Sequence, residues 1–297
     1  MMKDLASSLS ANAQTQYDTY WQKFIKFQED ILDDPQFPAT QHQIALYVTH
    51  LHGKGLKVST IQGHLSALSF IHQANGHISP CRNFVTRKLL HSYRKTDTPI
   101  QDRRPITFKL LRRLIGHVRS STHTPYDKQL YMALYSLMYH AALRVSEACI
   151  TPTSHHTLQL SHVTISTSQS SLKIAFTSYK HSSPSPPPIV VHRSSSKSIC
   201  PVRHMRRYLR LRHKKSGPLF CYQNRHPVTR SSMSTNLKSH LRAINLPPSH
   251  YHTHSFRIGR ATDMAEQGYS YSKIALAGRW HSTAFLKYVK PQLIHIP

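Results

Sequence analysis

From Leu130 to Leu143, only Ser136 and His140 interrupt a run of apolar and aromatic residues. The run is too long for one strand and only about half to two-thirds of a bilayer span. It reads as a buried helix, Lys128 to Ala148, and a chain that hides such a helix must wrap a substantial core around it. At its far end, Ala141-Ala142-Leu143-Arg144-Val145-Ser146-Glu147-Ala148 sets an arginine and a glutamate in apolar company. A charge in that setting has to be paired or employed.

Helical periodicity also dominates what comes before. Ala13 to Phe27 carries a broad aromatic face, and Thr40 is placed to cap a helix over Gln41 to Leu51. Ser59-Thr60 reads as the cap of Ile61 to Gln73, and a fourth helix covers Phe84 to Tyr93. The spacing predicts an α-helical bundle over residues 1–96. A charged linker over 97–105, with Pro99 and Pro105, leads to a second domain over 106–297. There Thr107 caps a helix from Phe108 to Ile115. Period two takes over only between Leu158 and His192. Leu158 to Ser166, Leu172 to Ser178 and Ile189 to His192 predict a small antiparallel sheet. Helices follow over Val202 to Lys215, Ser232 to Ala243, Phe256 to Gln267 and Tyr271 to Ala277. The expected fold class is an all-α bundle joined to a mainly-α (α+β) domain with a small sheet.

Charge is shared unequally between these parts. The chain of 297 residues has 39 lysines and arginines against 12 acids. Residues 1–102 hold 10 of the cations and 8 of the acids, whereas residues 103–297 hold 29 and 4. An excess of that size calls for a polyanionic partner, and nucleic acid is the expected one. The basic helix and its continuation put Arg203, Arg206, Arg207, Arg210, Lys214 and Lys215 forward as phosphate contacts. Arg260 and Arg279 join them further on. Cys81, Cys149, Cys200 and Cys221 are too dispersed for a disulfide framework or a zinc ribbon. Met1 to Gln14 lacks the apolar core of a secretion signal, and no membrane association is expected.

The chemistry gathers near the C-terminus. His254 and Arg257 share a helical face, Gly278-Arg279-Trp280 follows, and Tyr288 lies eight residues beyond Trp280. With Arg144, these residue types suit attack on a phosphodiester. Two guanidinium forks hold the non-bridging oxygens, an indole N–H adds a neutral donor, and a phenolic oxygen attacks phosphorus. The phenol needs a base or a strong local positive potential, which His254 and the arginines can supply. No metal or other cofactor is implied. Asp127, Glu147, Asp263 and Glu266 form no carboxylate cluster of the two-metal kind. His250, His252 and His254 have no cysteine or carboxylate beside them to complete a zinc site.

These motifs resemble the tyrosine recombinases, the phage-integrase-like family. Cys200-Pro201-Val202-Arg203, Gly217-Pro218-Leu219-Phe220, His254-Ser255-Phe256-Arg257-Ile258-Gly259, and Gly278-Arg279-Trp280 with Phe285-Leu286-Lys287-Tyr288 are similar to those of eukaryotic mobile-element enzymes. Those are the DIRS/Ngaro-type retrotransposons and Crypton-like transposons. The first domain, with Ser59-Thr60-Ile61 and Leu65-Ser66-Ala67-Leu68, resembles the family's core-binding domain.

The resemblance implies that Arg144 and Arg257 are the paired phosphate-binding arginines and that Tyr288 is the nucleophile. His254 would assist proton transfer, Trp280 would fill a position held by His or Trp, and Glu147 would support the site from behind. Lys180, at the tip of a β-hairpin, would protonate the leaving 5′ oxygen, with Lys173 as the weaker candidate. It further implies a nuclear protein (or one of the nucleoid, in a prokaryote) that acts as a tetramer on paired DNA sites. Two other readings share the fold: a domesticated remnant that binds DNA without cutting it, and a nicking-closing enzyme like the type IB topoisomerases.

Overall fold

Contacts divide the chain into two units, Met1–Ile100 and Gln101–Pro297. The computed structural model describes residues 8–97, 103–152, 156–179, 186–280, 285, 286 and 289.

The first unit is a helical bundle: α1 (Ala11–Phe27, running into a π turn over Gln28–Leu32), α2 (Gln41–Gly53), α3 (Val58–Ala74) and α4 (Phe84–Thr96). Phe24, Ile44, Tyr47, Val48, Ile61 and Leu68 fill its core. Thr40 caps α2 through a reciprocal pair with Gln43, as its sequence predicts. The start of α3 differs from expectation. Ser59 and Thr60 lie inside the helix, and the Val58 N–H is satisfied instead by the Asp97 carboxylate at 3.0 Å. A cap delivered from 39 positions away leaves no local trace.

The second unit opens with α5 (Phe108–Ser120), capped by Thr107, and α6 (Pro125–His140). α6 is the apolar helix of the sequence, and ten of its residues from Leu130 to Tyr139 are buried. It does not run to Ala148. The chain turns at Ala142 (φ 44°), with Ala142 N–H bonded to Tyr139 C=O and Leu143 N–H to Met138 C=O. This is the helix stop normally built on glycine. An alanine in that left-handed conformation costs on the order of 1 kcal/mol. A separate helical turn, α7 (Val145–Ala148), follows.

β1 (Val163–Ile165), β2 (Ser171–Ile174) and β3 (Ile189–His192) form an antiparallel sheet in that order. Ser171 pairs with His192, and Ile174 with both Val163 and Ile189. The first two strands are shorter than the sequence predicts, because Leu160–His162 is a 3-10 turn and pairing ends at Ile174. The helices that complete the unit are α8 (Pro201–Leu211), α9 (Arg230–Ala243), α10 (Ser255–Glu266) and α11 (Tyr271–Gly278). Leu111, Leu134, Leu137, Met205, Tyr208, Phe220, Leu241 and Phe256 belong to one core around α6.

Two local devices fix the elements that carry the chemistry. The basic helix stops at Leu211, four residues before its predicted end, because Arg212 turns inward. Its guanidinium donates to the carbonyls of His213, Lys215, Pro218 and Leu219 and so ties down the loop that follows. On α10, Gly259 lies so close to the Ile106 carbonyl that a β-carbon would overlap it. Ile106 N–H donates to Ser255 C=O at 2.9 Å and Arg104 N–H to His250 C=O at 2.8 Å, which docks the start of α10 onto the entry to α5. No described helix is long and apolar enough to cross a membrane.

Candidate active site

The turn that ends α6 is the hub of the site. Ending a helix leaves its last carbonyls without intrahelical partners; here the turn's own N–H groups take those of Met138 and Tyr139, and arginines from distant segments take the carbonyls of Ala141 and Ala142. Arg257, 1% exposed on α10, donates through Nη1 to Ala142 C=O (2.5 Å) and through Nη2 to Gly278 C=O. Arg279 donates through Nη1 to Ala141 C=O (3.1 Å). The guanidinium of Arg257 lies over the Trp280 ring, 4.3 Å from its centroid. Two carbonyls and an aromatic face thus fix its plane. Trp280 contributes this face in addition to the N–H for which the sequence suggested it.

Glu147 organises the cations. It is fully buried on α7, one oxygen accepting from Arg144 Nη1 (2.9 Å) and the other from Arg279 Nη2 (2.6 Å). The second oxygen also takes the Arg144 backbone N–H at 2.8 Å, which fixes where α7 begins. The Arg144 side chain remains 21% exposed, so it is held from behind while keeping an open side. A carboxylate buried between two guanidiniums repays its desolvation only with such complete pairing.

Arg279, put forward as a DNA contact, is held inside the hub. Its side chain is 5% exposed and is engaged by Glu147 and the Ala141 carbonyl, and the rings of Phe176 and Tyr179 lie 5.0 and 5.4 Å from its guanidinium. Burial lowers its pKa, and Glu147 opposes that shift. Its place in the hub was missed from the sequence. One signal was available: Glu147 is one of 4 acids among the 29 cations of residues 103–297, and a carboxylate has room for a second partner.

His254 caps α10 half-buried, and its pKa is depressed to about 4 by burial first and then by Arg257, Arg103 and Arg144. At neutral pH it is an uncharged imidazole. Arg103 is a further contributor to this potential that the sequence reading did not single out. Arg144, Glu147, His254, Arg257 and Trp280 are therefore brought together. Lys180 and Tyr288 lie outside the described residues. Their described neighbours are anchored: Tyr179 lies against Arg279, and Phe285 and Val289 pack with Ala261, Met264, Ile274 and Trp280. Lys173 is exposed on β2.

The remaining predicted DNA contacts fall in two places. Arg203, Arg206 and Arg207 are half-buried on the outer face of α8, opposite its core residues Val202, Met205 and Tyr208. Arg210, Lys214 and Lys215 are exposed. Arg260 is half-buried, with its guanidinium 5.8 Å from the Tyr139 ring centroid. Among the described residues no three His, Cys, Asp or Glu side chains converge as metal ligands.

Comparison with known proteins places the chain. A model described as the phage integrase family matches residues 104–290, and the chain belongs to that family. No curated protein matches it. Among solved structures it is similar to the Tn1549 transposon integrase in complex with circular intermediate DNA, with a TM-score of 0.64 and 14% identity over 97% of this chain and 95% of that one. It is similar also to XerH bound to palindromic difH substrate (0.67, 14%, 93% and 75%) and to a lambda integrase dimer bound to a COC′ core site (0.62, 15%, 100% and 77%). At these identities the likeness is one of fold: a mainly helical chain with a three-stranded antiparallel sheet.

Proposed function

We propose that the protein is a tyrosine recombinase that cuts and rejoins double-stranded DNA to integrate a mobile element. The observation that carries this reading is the convergence of Arg144, Arg257, His254 and Trp280 on the turn that ends α6, with Tyr288 eight residues past Trp280. The arginines bind the non-bridging oxygens of the scissile phosphate. The Tyr288 oxygen attacks phosphorus, its proton passing to His254 or to water, and a 3′-phosphotyrosyl bond forms as the bond to the 5′ oxygen breaks. Lys180 supplies the proton that the leaving 5′ oxygen takes up. Attack by a 5′-hydroxyl from another strand reverses the step. The phosphotyrosine conserves the bond energy, so no cofactor has to supply it. Each arginine contributes roughly 3 kcal/mol, or 10²–10³ in rate, as fixed donors do in comparable sites.

The protein works on paired sites as a homo-oligomer, a tetramer by family analogy. Its Gly278-Arg279-Trp280 and Phe285 to Tyr288 motifs group it with the DIRS/Ngaro and Crypton-like enzymes. Work on chromosomal DNA puts it in the nucleus, or in the nucleoid of a cell without one.

The test is incubation of wild type and Tyr288→Phe with nicked duplexes of element-terminal sequence that trap the cleaved state. An SDS-resistant adduct with wild type alone, and joined products when two sites are present, is the expected outcome. Tight, salt-sensitive binding with no adduct would establish a non-cutting remnant. Relaxation of supercoils by a monomer without joined products would establish a nicking-closing enzyme instead.

A further inference from the structure

One strongly charged concavity is left unused by this mechanism. Where β1 turns into β2, Gln169 has left-handed backbone (φ 54°), and Arg193 leaves β3 beside it, its N–H donating to Ser170 C=O at 2.8 Å. With Lys197 and with Arg203, Arg206 and Arg207 of α8, they line a pocket of about 250 Å³. That is room for roughly eight waters, more than one tetrahedral anion fills. β2 runs from this end at Ser171 toward Phe176 and Tyr179, whose rings lie on Arg279. Pocket and arginine hub thus sit at opposite ends of one segment.

Five of the lining side chains are cations, and among the described residues none makes an ion pair. Three of the unit's carboxylates are committed elsewhere: Glu147 to Arg144 and Arg279, Asp263 to the Phe108 N–H and the Tyr139 hydroxyl, Asp127 to Thr124. Burial first, and then Arg203, Arg119, Arg206 and Arg210, hold Arg207 below its usual pKa, so the cations feel one another. Arg206 Nε is buried without a hydrogen-bond partner, while its Nη1 donates to the Gln169 side chain and ties turn to helix. A fold that gathers like charges in a cleft and leaves a buried guanidinium donor unmatched is complete only when an anion enters.

We propose that this pocket binds a ligand carrying two or more phosphates close together. Such a ligand is either adjacent phosphodiesters of a DNA segment other than the one at the hub or a free polyphosphate. The site is independent of strand transfer, because a small polyphosphate reads the pocket alone. Inorganic tripolyphosphate titrated into the full-length protein by calorimetry should bind at one site and raise the melting temperature. Arg203→Gln/Arg207→Gln should weaken that binding at least tenfold, whereas Lys109→Gln/Arg112→Gln, exposed on α5 outside the pocket, should leave it unchanged. Should the first variant fail to fold, Arg193→Gln/Lys197→Gln makes the same test from the loop side. Absence of binding, or equal affinity in every variant, overturns the proposal. A duplex of about 20 base pairs separates the sources. If DNA fills the pocket, it competes with tripolyphosphate, and the double variant lowers the slope of log K against log salt by about two. If a free polyphosphate is the ligand, there is no competition and the slope is kept.

Discussion

The two units bury polar groups in opposite ways. The bundle hides neutral ones: His64 bonds the Tyr47 hydroxyl at 2.9 Å, and His72 bridges Leu68 C=O and Ala39 N–H at 2.7 and 2.9 Å. Its one described ion pair, Lys26 to Asp30, lies 3.9 Å apart in solvent. The second unit buries Arg212, Arg257 and Arg279 together with Glu147 and Asp263. Burying charge adds little net stability even when every partner is present. A fold that accepts that cost three times over is holding guanidiniums in fixed orientations, whereas no arginine or lysine is buried among the bundle's described residues.

Removing the carboxylate that holds two of them should have the largest effect. Glu147→Gln is expected to destabilise the second unit by about 3–5 kcal/mol, because Arg279 is left buried without its counter-charge. The bundle should be unaffected. Each unit carries one tryptophan, Trp21 or Trp280, so fluorescence-detected urea unfolding of Trp21→Phe and Trp280→Phe backgrounds reads them separately. Equal loss in both would break the contrast.

Arg212→Met should cost the second unit about 2–3 kcal/mol, since it strips a charged donor from four loop carbonyls. The same unfolding curves measure it.

Acid sharpens the comparison further. His140, His204, His240 and His254 in the second unit, and His64 in the bundle, each have a native pKa near 4, lowered chiefly by burial. Unfolded histidine titrates near 6.5. Between these values the unfolded chain binds more protons. Stability is therefore intact above about pH 6.5 and is lost as pH falls toward 4, by up to about 1.4 kcal/mol per pH unit for each group. With four such groups against one, the second unit should show the steeper loss in pH-dependent unfolding. The smallest effect belongs to Lys26→Ala, which should shift the bundle by no more than about 0.5 kcal/mol.

What could be read from the sequence follows from how local each signal is. Thr40 with Gln43 and Thr107 three residues before Leu110 are self-contained caps, and the apolar length of α6 speaks for itself. The end of α6 could not be read, because Ala141-Ala142-Leu143 contains no helix breaker. The left-handed Ala142 is held by Arg257, 115 positions on. The burial of Arg279 was hidden for a similar reason, since its partner lies 132 positions away. Arg144 and Arg257 were put forward because phosphate chemistry calls for arginines in that motif context. How the two are fixed, on carbonyls, an indole face and a shared carboxylate, emerged only from the fold.

The central claim is that this hub serves a phenolic nucleophile at Tyr288. The most direct measurement is peptide mapping of the protein–DNA adduct: trap the cleaved state, digest protein and DNA, and locate the nucleotide-modified peptide by mass spectrometry. The account predicts one modified peptide, the one carrying Tyr288, with a 3′-phosphate linkage, and its strong reduction in Arg257→Lys. A nucleotide on any other residue, or an adduct formed equally well in Arg257→Lys, would contradict it.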